Sequence, residues 1–316
     1  MDSLQGTQTK GFVILKGSQV VAEFYDNGYN RGMSNNLQSA SKSYAGLIIG
    51  QLIDAGKIDP EKTAAFYLPN LAGSVIGEAT IRNIANMASG VQQLGDYHTP
   101  GSEGYKWEVE IGLQPNGEPI GHFNAIKNAI GSGQEQGTKW EYTDQNTDTL
   151  GLIAEKVTGK SFAVLLQELA DKLGHQDKGS IAKTSDGTTS PAYGINVSAL
   201  DYALFHQYIA EGKAGEAYYQ LAKDVDRDLL AKGEKGEFIT SSTGYKVAYG
   251  AQTFYFPEEN ILMSVGSFGQ LGFSDLDTGI AIVNQQDWSI NMDQDKGPET
   301  IKRSIALIKK LRVQMK

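Results

Sequence analysis

The stretch NLQSASKSYAGLIIGQLIDAGKID, Asn36 to Asp59, decides how the chain is read. Ser39 and Lys42 stand three residues apart in it. Behind them Ala45, Ile48, Ile49, Leu52 and Ile53 recur at helical spacing, and Gly56 closes the run. The pattern predicts a helix from Ser41 to about Ala55, with Ser39 and Lys42 at its start. Side chains three apart on a helix share a face and can touch. A helix N-terminus also presents unpaired N–H groups and a partial positive charge. Both favour the negative charge that develops when a serine attacks a carbonyl. A serine is a poor nucleophile until a base takes its proton. A lysine is such a base when burial or a neighbour lowers its pKa. The plainer reading is an N-cap serine beside a solvated lysine. Ser-x-x-Lys also arises by chance: Ser180 and Lys183 fit it, but in a predicted loop where nothing fixes both side chains on one face.

Outward from this stretch the chain divides into strands at both ends and helices between. GFVILKG and QVVAEFYDNGYN read as an N-terminal hairpin turning at Gly17-Ser18. TIRNIANMASG reads as a short helix ended by Gly90, and residues 91–122 as a long irregular loop of the functional kind. NTDTLGLIAEKVTGKSFAVLLQELADKLG reads as two helices broken at Gly159. Another helix follows Ser198, with Asp201 three residues on as a capping-box variant. YKVAYGAQTFYF, ILMSVGSFG and TGIAIVNQQ read as strands, with turns at PEEN and SDLD. Ile301, Ile305, Ile308 and Leu311 stripe a C-terminal amphipathic helix. The class is α+β.

Composition excludes several functions. The 316 residues carry a net charge of −9, without a basic cluster before the last helix, so no nucleic acid or anionic membrane is expected as partner. Cysteine is absent, which removes thiol nucleophiles, disulfides and thiolate metal sites. His98, His122, His175 and His206 are scattered, with no pair at metal-ligand spacing, so neither metal nor cofactor is expected. Asp275 and Asp277 fit a turn better than a calcium loop. No apolar run is long enough to span a membrane. The polar start lacks a leader's apolar stretch. The Gln/Asn/Gly/Tyr-rich composition leans toward an exported chain with its leader removed, though a cytoplasmic one fits too. Trp107, Trp140 and Trp288 fit either a cleft wall or core packing. No Gly-x-Ser-x-Gly elbow points to a Ser-His-Asp triad.

Two further pieces share the chemistry of Ser39. Tyr142 sits in the loop that leads into a helix, where its hydroxyl can reach a cleft and relay a proton. Gly266-Ser267-Phe268-Gly269-Gln270 ends a strand with glycines, where a backbone can approach a ligand closely. A strand-edge N–H there could join the Ser39 N–H as an oxyanion hole. Alone, each fits an ordinary loop or bulge.

Together and in order, these pieces resemble the serine β-lactamase-like hydrolases with a Ser-x-x-Lys nucleophile, related to penicillin-binding proteins. The resemblance is to the branch of 6-aminohexanoate-dimer hydrolases, class C β-lactamases and carboxylesterases. It covers most of the chain. GFVILKGSQVVAEFYDNGYN resembles the opening hairpin, SASKSYAGLIIGQLIDAGKID the nucleophile helix, FYLPNLAGSVIGEATIRNIANMASGV the next segment, WEYTDQNTDTLGLIAEKVTGKSF the tyrosine segment, GINVSALDYALF a later helix and VGSFGQLGF the third motif. The resemblance implies one β-lactamase-like unit over residues 1–316. Residues 1–58 and 186–316 would form an α/β lobe, an antiparallel sheet flanked by helices, and 59–185 a mostly helical lobe. It implies Ser39 as the acylated nucleophile, Lys42 as acceptor of its proton and Tyr142 as general base and acid. Backbone N–H groups of Ser39 and of Gln270, after Gly269, would hold the oxyanion. Asp144 occupies a position where relatives often carry Asn. Ser267-Phe268-Gly269 stands where a Lys/His-Thr-Gly motif is common, so that motif's positive charge is missing. Val157-Thr158-Gly159 is a decoy that closes a helix. Asp144 is expected to raise the Lys42 pKa and, with Ser267, to favour neutral or cationic small esters and amides over β-lactams. The alternatives are a D-amino acid peptidase or penicillin-binding-type protein, and a non-catalytic binding member.

Overall fold

The computed structural model describes residues 4–223, 230, 232–291 and 293–314. The hairpin is present: β1 (Thr9–Lys16) and β2 (Gln19–Tyr25) pair antiparallel about Gly17. A small sheet follows from β3 (Asn35–Asn36), β4 (Ser180–Ile181) and β5 (Ile195–Val197), in the order β3-β5-β4. The rest of the strands lie near the C-terminus: β6 (Ala248–Gly250), β7 (Thr253–Phe256), β8 (Ile261–Gly266), β9 (Gln270–Asp275) and β10 (Ile280–Gln286). They join the hairpin in a seven-stranded antiparallel sheet, β2-β1-β10-β9-β8-β7-β6. The two ends of the chain therefore build one sheet around the helical middle.

The strands are apolar on both faces because helices cover both. Along β1, Val13 and Leu15 face one core cluster, and Phe12 and Ile14 face another. The first cluster includes α1 (Lys42–Asp54), α7 (Asp144–Thr158) and α9 (Ala199–Ala210). The second includes Ile301, Ile305 and Ile308 of the C-terminal helix α12 (Lys296–Gln314), three members of the stripe read from the sequence. Shorter helices fill the middle: α2 (Ala64–Tyr67), α3 (Val75–Glu78), α4 (Ile81–Ala85), α5 (Glu103–Glu110), α6 (His122–Lys127), α8 (Phe162–Leu173), α10 (Glu216–Lys223) and α11 (Glu234–Thr243). As read, Ser198 caps α9 by accepting from the Asp201 N–H at 3.1 Å, and Gly159 ends α7 in the left-handed region.

Several expectations fail for physical reasons. The strand expected over residues 245–256 is the β6–β7 hairpin. Its turn residues, Ala251 and Gln252, both have positive φ without being Gly or Asn, so no turn signal marks them. Tertiary bonds hold that turn instead: Gln252 Nε2 donates to the Ile84 and Ala85 carbonyls, and its Oε1 accepts from Thr147. Strand β9 is not among the expected strands, and its last two residues, Ser274 and Asp275, fall in the expected SDLD turn, because Gly272, Ser274 and Asp275 weaken its pattern; it is buried throughout, and Gly272 lets the His206 ring lie against it. Within the expected loop 91–122, Ser102 caps α5, and its Trp107 is buried. The helix expected to run to Gly90 stops at Ala85, where Met87 turns into positive φ. Ser180 begins strand β4 rather than lying in a loop.

Helix α1 shows why glycines sit in its middle. A Cβ on Gly46 would stand 1.8 Å from the Ala251 carbonyl oxygen, and one on Gly50 2.6 Å from Tyr218 Cβ. The β6–β7 turn and α10 therefore seat against α1 only where side chains are lacking. Gly46→Ala gains about 1 kcal/mol of helix propensity but overpacks against backbone, which costs roughly 1–3 kcal/mol or more. A lower urea midpoint with unchanged m-value is expected; an unchanged or raised midpoint would show that the turn gives way freely.

Candidate active site

Ser39 lies in a 3-10 turn, Gln38–Ser41, just ahead of α1. Gln38 has φ +51°, a left-handed conformation that costs a side-chain-bearing residue about 1–3 kcal/mol. Bonds on either side hold it. The Gln38 N–H donates to Asn36 Oδ1 at 2.6 Å, and the Leu37 N–H to the Ile195 carbonyl at 2.9 Å. Ser41 Oγ accepts from the Ile195 N–H at 3.1 Å. The turn is thus fixed to β5, with Ser39 partly exposed and Leu37 and Ala40 buried.

Lys42, the first residue of α1, is 1% exposed. Its Nζ lies 3.2 Å from Ser39 Oγ, 2.7 Å from the Ala192 carbonyl oxygen and 2.6 Å from Asp144 Oδ1. An ammonium has three N–H donors, and here are three acceptors. Burial by itself pulls the Lys42 pKa down. The Asp144 charge, Tyr142 and the hydrogen bonds to both overturn this and hold it above its ordinary value.

The partners come from the start of α7. Thr143, extended, is its N-cap and Asp144 its first helical residue, where the helix dipole favours a carboxylate. Tyr97, which sequence reading passed over, bonds Asp144; burial first and this carboxylate second push its phenol well up. Tyr142 lies against Trp140 and Tyr249, with ring centroids 5.7 and 6.2 Å away. Two ammonium groups approach its ring: Lys42 Nζ at 4.9 Å and Lys235 Nζ, from α11, at 4.7 Å from the centroid. Burial, then the Lys42 charge, hold the Lys235 pKa down against the pull of Asp144.

A second buried network backs Lys42. The Ala192 N–H donates to Asp148 Oδ1 at 3.1 Å while its carbonyl accepts from Lys42. Asp148, one turn beyond Asp144, also meets His122 Nε2 at 2.9 Å and accepts from Ser190 Oγ at 2.8 Å. His122 Nδ1 meets Thr188 Oγ1 at 2.8 Å. No spacing in the sequence joins these residues.

The third motif lies beside the Ser39 turn. A Cβ on Gly266 would stand 2.0 Å from the Leu37 carbonyl oxygen and 3.1 Å from the Ala40 nitrogen. Ser267, Phe268 and Gly269 turn β8 into β9, Phe268 and Gly269 with positive φ, and Trp288 packs under Gly269. Gln270 pairs opposite Gly266 in the ladder; its side chain bonds the Phe268 and Gln286 carbonyls and Asn35 Nδ2. By contrast Ser180 and Lys183 are both exposed, and no bond between them appears among the described residues. Trp107, Trp140 and Trp288 are all buried; Trp107 and Trp288 each line a small cavity. Asp275 and Asp277 both pair with Arg312. No cluster of potential metal ligands occurs among the described residues, and no helix among them is long and apolar enough to cross a membrane.

The His122–Asp148 pair carries a pH signature. Burial lowers the His122 pKa, but the Asp148 charge and bond raise it further, above its ordinary value. Its contribution to stability is therefore full below about pH 6.5, the unfolded value, and fades as pH rises through the folded one. Asp148→Asn is expected to flatten that slope in urea denaturation followed across pH. Asp148→Ala, which strands buried partners, is expected to cost about 3–5 kcal/mol. A slope unchanged in Asp148→Asn would assign it elsewhere.

Comparison with known proteins agrees with this architecture. The Beta-lactamase family model matches residues 12–291. The chain is 29% identical over 295 residues to the 6-aminohexanoate-dimer hydrolase of Paenarthrobacter ureafaciens, covering 90% of this chain and 74% of that one. Among solved structures, a Bacillus anthracis protein described provisionally as a 6-aminohexanoate-dimer hydrolase superposes with a TM-score of 0.83 at 22% identity, over 99% of this chain and 82% of that one. EstCE1, a hydrolase with promiscuous acyltransferase activity, superposes with a TM-score of 0.71 at 16% identity, over 96% of this chain and 95% of that one. These two likenesses are of fold.

Proposed function

The chain belongs to the beta-lactamase family, and from that premise we propose that it is a serine hydrolase working through an acyl-enzyme on small carboxylic esters or amides. The observation that carries this reading is the chain of contacts from Ser39 Oγ to Lys42 Nζ at 3.2 Å and on to Asp144 Oδ1 at 2.6 Å. A solvated lysine beside an N-cap serine would show neither the burial nor the carboxylate.

At rest Lys42 is an ammonium and cannot take a proton. Passing one to Asp144 leaves a neutral amine whose lone pair faces Ser39. The serine proton then moves to Lys42 as Oγ attacks the substrate carbonyl. Backbone N–H groups of Ser39 and of the turn beyond Gly266 receive the oxyanion. Gln270 was the residue nominated from sequence. It opens β9 directly opposite Gly266, whose Cβ position lies 3.1 Å from the Ala40 nitrogen, beside the Ser39 turn. Collapse of the tetrahedral species expels the alcohol or amine, which takes its proton from the Lys42–Tyr142 pair. Water then attacks the acyl-enzyme, and the proton returns to Ser39. Ser39, the pair Tyr142 and Asp144, and the Ser267–Gly269 turn come from three separate chain segments, and on this reading the substrate binds between them.

A fluorophosphonate probe followed by peptide mass spectrometry tests this reading. An adduct on Ser39 is expected, with Lys42→Met slowing both labelling and ester hydrolysis by about 10²–10⁴-fold. No adduct, or one on Ser180, would overturn it and favour a binding protein. D-alanyl-D-alanine peptides assayed beside simple esters separate the peptidase alternative. The Asp144 charge predicts a further result. Asp144→Asn removes what raises the Lys42 pKa, leaving burial to lower it. The rise of kcat/KM with pH should therefore move to lower pH in Asp144→Asn; a shift upward, or none, would contradict the relay.

A further inference from the structure

Asp148 follows Asp144 by one helical turn, so the two carboxylates lie on the same face of α7. Asp144 meets Lys42 directly. Asp148 meets the backbone on which Lys42 leans. Its Oδ1 accepts from the Ala192 N–H at 3.1 Å, and the Ala192 carbonyl accepts from Lys42 Nζ at 2.7 Å. Ser190 Oγ also donates to Asp148, at 3.0 and 2.8 Å from its two oxygens. Pro191, between them, packs on Gly151, where an added Cβ would stand 3.0 Å from Pro191 Cγ. Residues 190–192 belong to no helix or strand, so these contacts with α7 set where the Ala192 carbonyl points.

Asp148 and His122 are both fully buried, and a carboxylate in such a place needs a counter-charge. The directions of the hydrogen bonds supply one. The Thr188 hydroxyl gives its one proton to Asp186 Oδ1 at 2.8 Å. Toward His122 Nδ1, also 2.8 Å away, it can then only accept. Asp148, as a carboxylate, accepts from Nε2 at 2.9 Å. Both ring nitrogens therefore donate, which makes His122 an imidazolium paired with Asp148. Its backbone N–H donates to Asp186 Oδ2 at 2.8 Å, so the residue is anchored at three points. Taking an ion pair out of water is costly, and apolar side chains of similar size often fill such a space as stably. The presence of this pair directly behind the base points to geometry rather than stability.

We propose that Asp148 and His122 are positioning residues for the reaction, holding the Ala192 carbonyl where it orients the Lys42 amine during proton transfer. The inference rests on the hydrolase reading. Once Lys42 has passed a proton to Asp144, its neutral amine keeps two N–H groups and one lone pair. A carbonyl can only accept, so Ala192 claims one N–H. The second stays with the Asp144 carboxyl. The lone pair is left facing Ser39 Oγ, 3.2 Å away, and can take its proton. With the Ala192 carbonyl free to turn away, the amine would rotate and direct an N–H at Ser39 instead.

Two variants separate position from stability. In His122→Phe/Asp148→Leu, apolar side chains replace the buried pair, which is expected to keep the fold while leaving the Ala192 N–H without its acceptor. In Asp148→Asn the amide oxygen still accepts from Ala192, and the amide NH2 meets a neutral His122. Stopped-flow release of 4-nitrophenol from 4-nitrophenyl acetate gives the acylation rate and the affinity for the ester separately, and urea denaturation gives the stability. The double variant is expected to acylate about 10²-fold more slowly with its ester affinity unchanged, whatever its urea midpoint. Asp148→Asn is expected to recover most of that loss. If the double variant does not fold, Asp148→Ser, too short to reach Ala192, takes its place with the same expectation. A folded double variant as fast as the unmutated protein, a loss of affinity in place of rate, or an Asp148→Asn as slow as the double variant would each overturn the proposal. Failure of the unmutated protein to take a fluorophosphonate at Ser39 would instead overturn the hydrolase reading.

Discussion

A buried lysine must find acceptors for all its protons, and Lys42 finds them on three separate parts of the chain. Ser39 comes from the preceding turn, Ala192 from the segment before β5, and Asp144 from the start of α7. Taking an ammonium out of water costs several kcal/mol unless such partners are in place. The surroundings are arranged to keep them there. The Ser39 turn is tied to Ile195, Ala192 is tied to Asp148 and through it to His122, and Asp144 is tied to Tyr97. Glycines at 46 and 266 let the β6–β7 turn and the end of β8 close on the same helix start.

The pair Lys42–Asp144 also shapes the chemistry. A lysine with a lowered pKa would be a ready base; this one has its pKa raised, and in the proposed mechanism its carboxylate partner receives the proton. The same carboxylate leaves no free negative charge at the nucleophile, because its charge is already matched. A second amine, Lys235, stands over the Tyr142 ring, its Nζ 4.7 Å from the centroid, with burial holding its pKa down.

Much of this was legible where chemistry and periodicity coincide. The hairpin β1–β2, helix α1, the capped α9 and the stripe of α12 follow from local pattern, since each buries a face whose residues recur at the right spacing. The order of Ser39, Lys42, Tyr142 and the glycine-rich turn pointed to one family. The turn at Ala251–Gln252, strand β9 and helix α5 did not follow, because long-range bonds rather than local preference hold them. The same limit hid Lys235, Tyr97 and the His122–Asp148 pair. Lys235 sits in AKGEKGEF, where the sequence carries no informative pattern, and the packing of Gly233 on Trp140 brings its helix to Tyr142.

The charge on Lys42 is the quantity on which the site turns, and it can be observed directly. Protein labelled with 13C at lysine Cε, titrated by NMR in the unmutated chain and in Asp144→Asn, reports the protonation of that one amine, with Lys42→Met to assign its signal. The result expected is an ammonium that persists across neutral pH and well into the alkaline range, and that titrates at lower pH once Asp144 is replaced. A Lys42 signal already neutral at pH 7 in the unmutated protein, or one indifferent to Asp144, would contradict the buried ion pair as the organiser of the site.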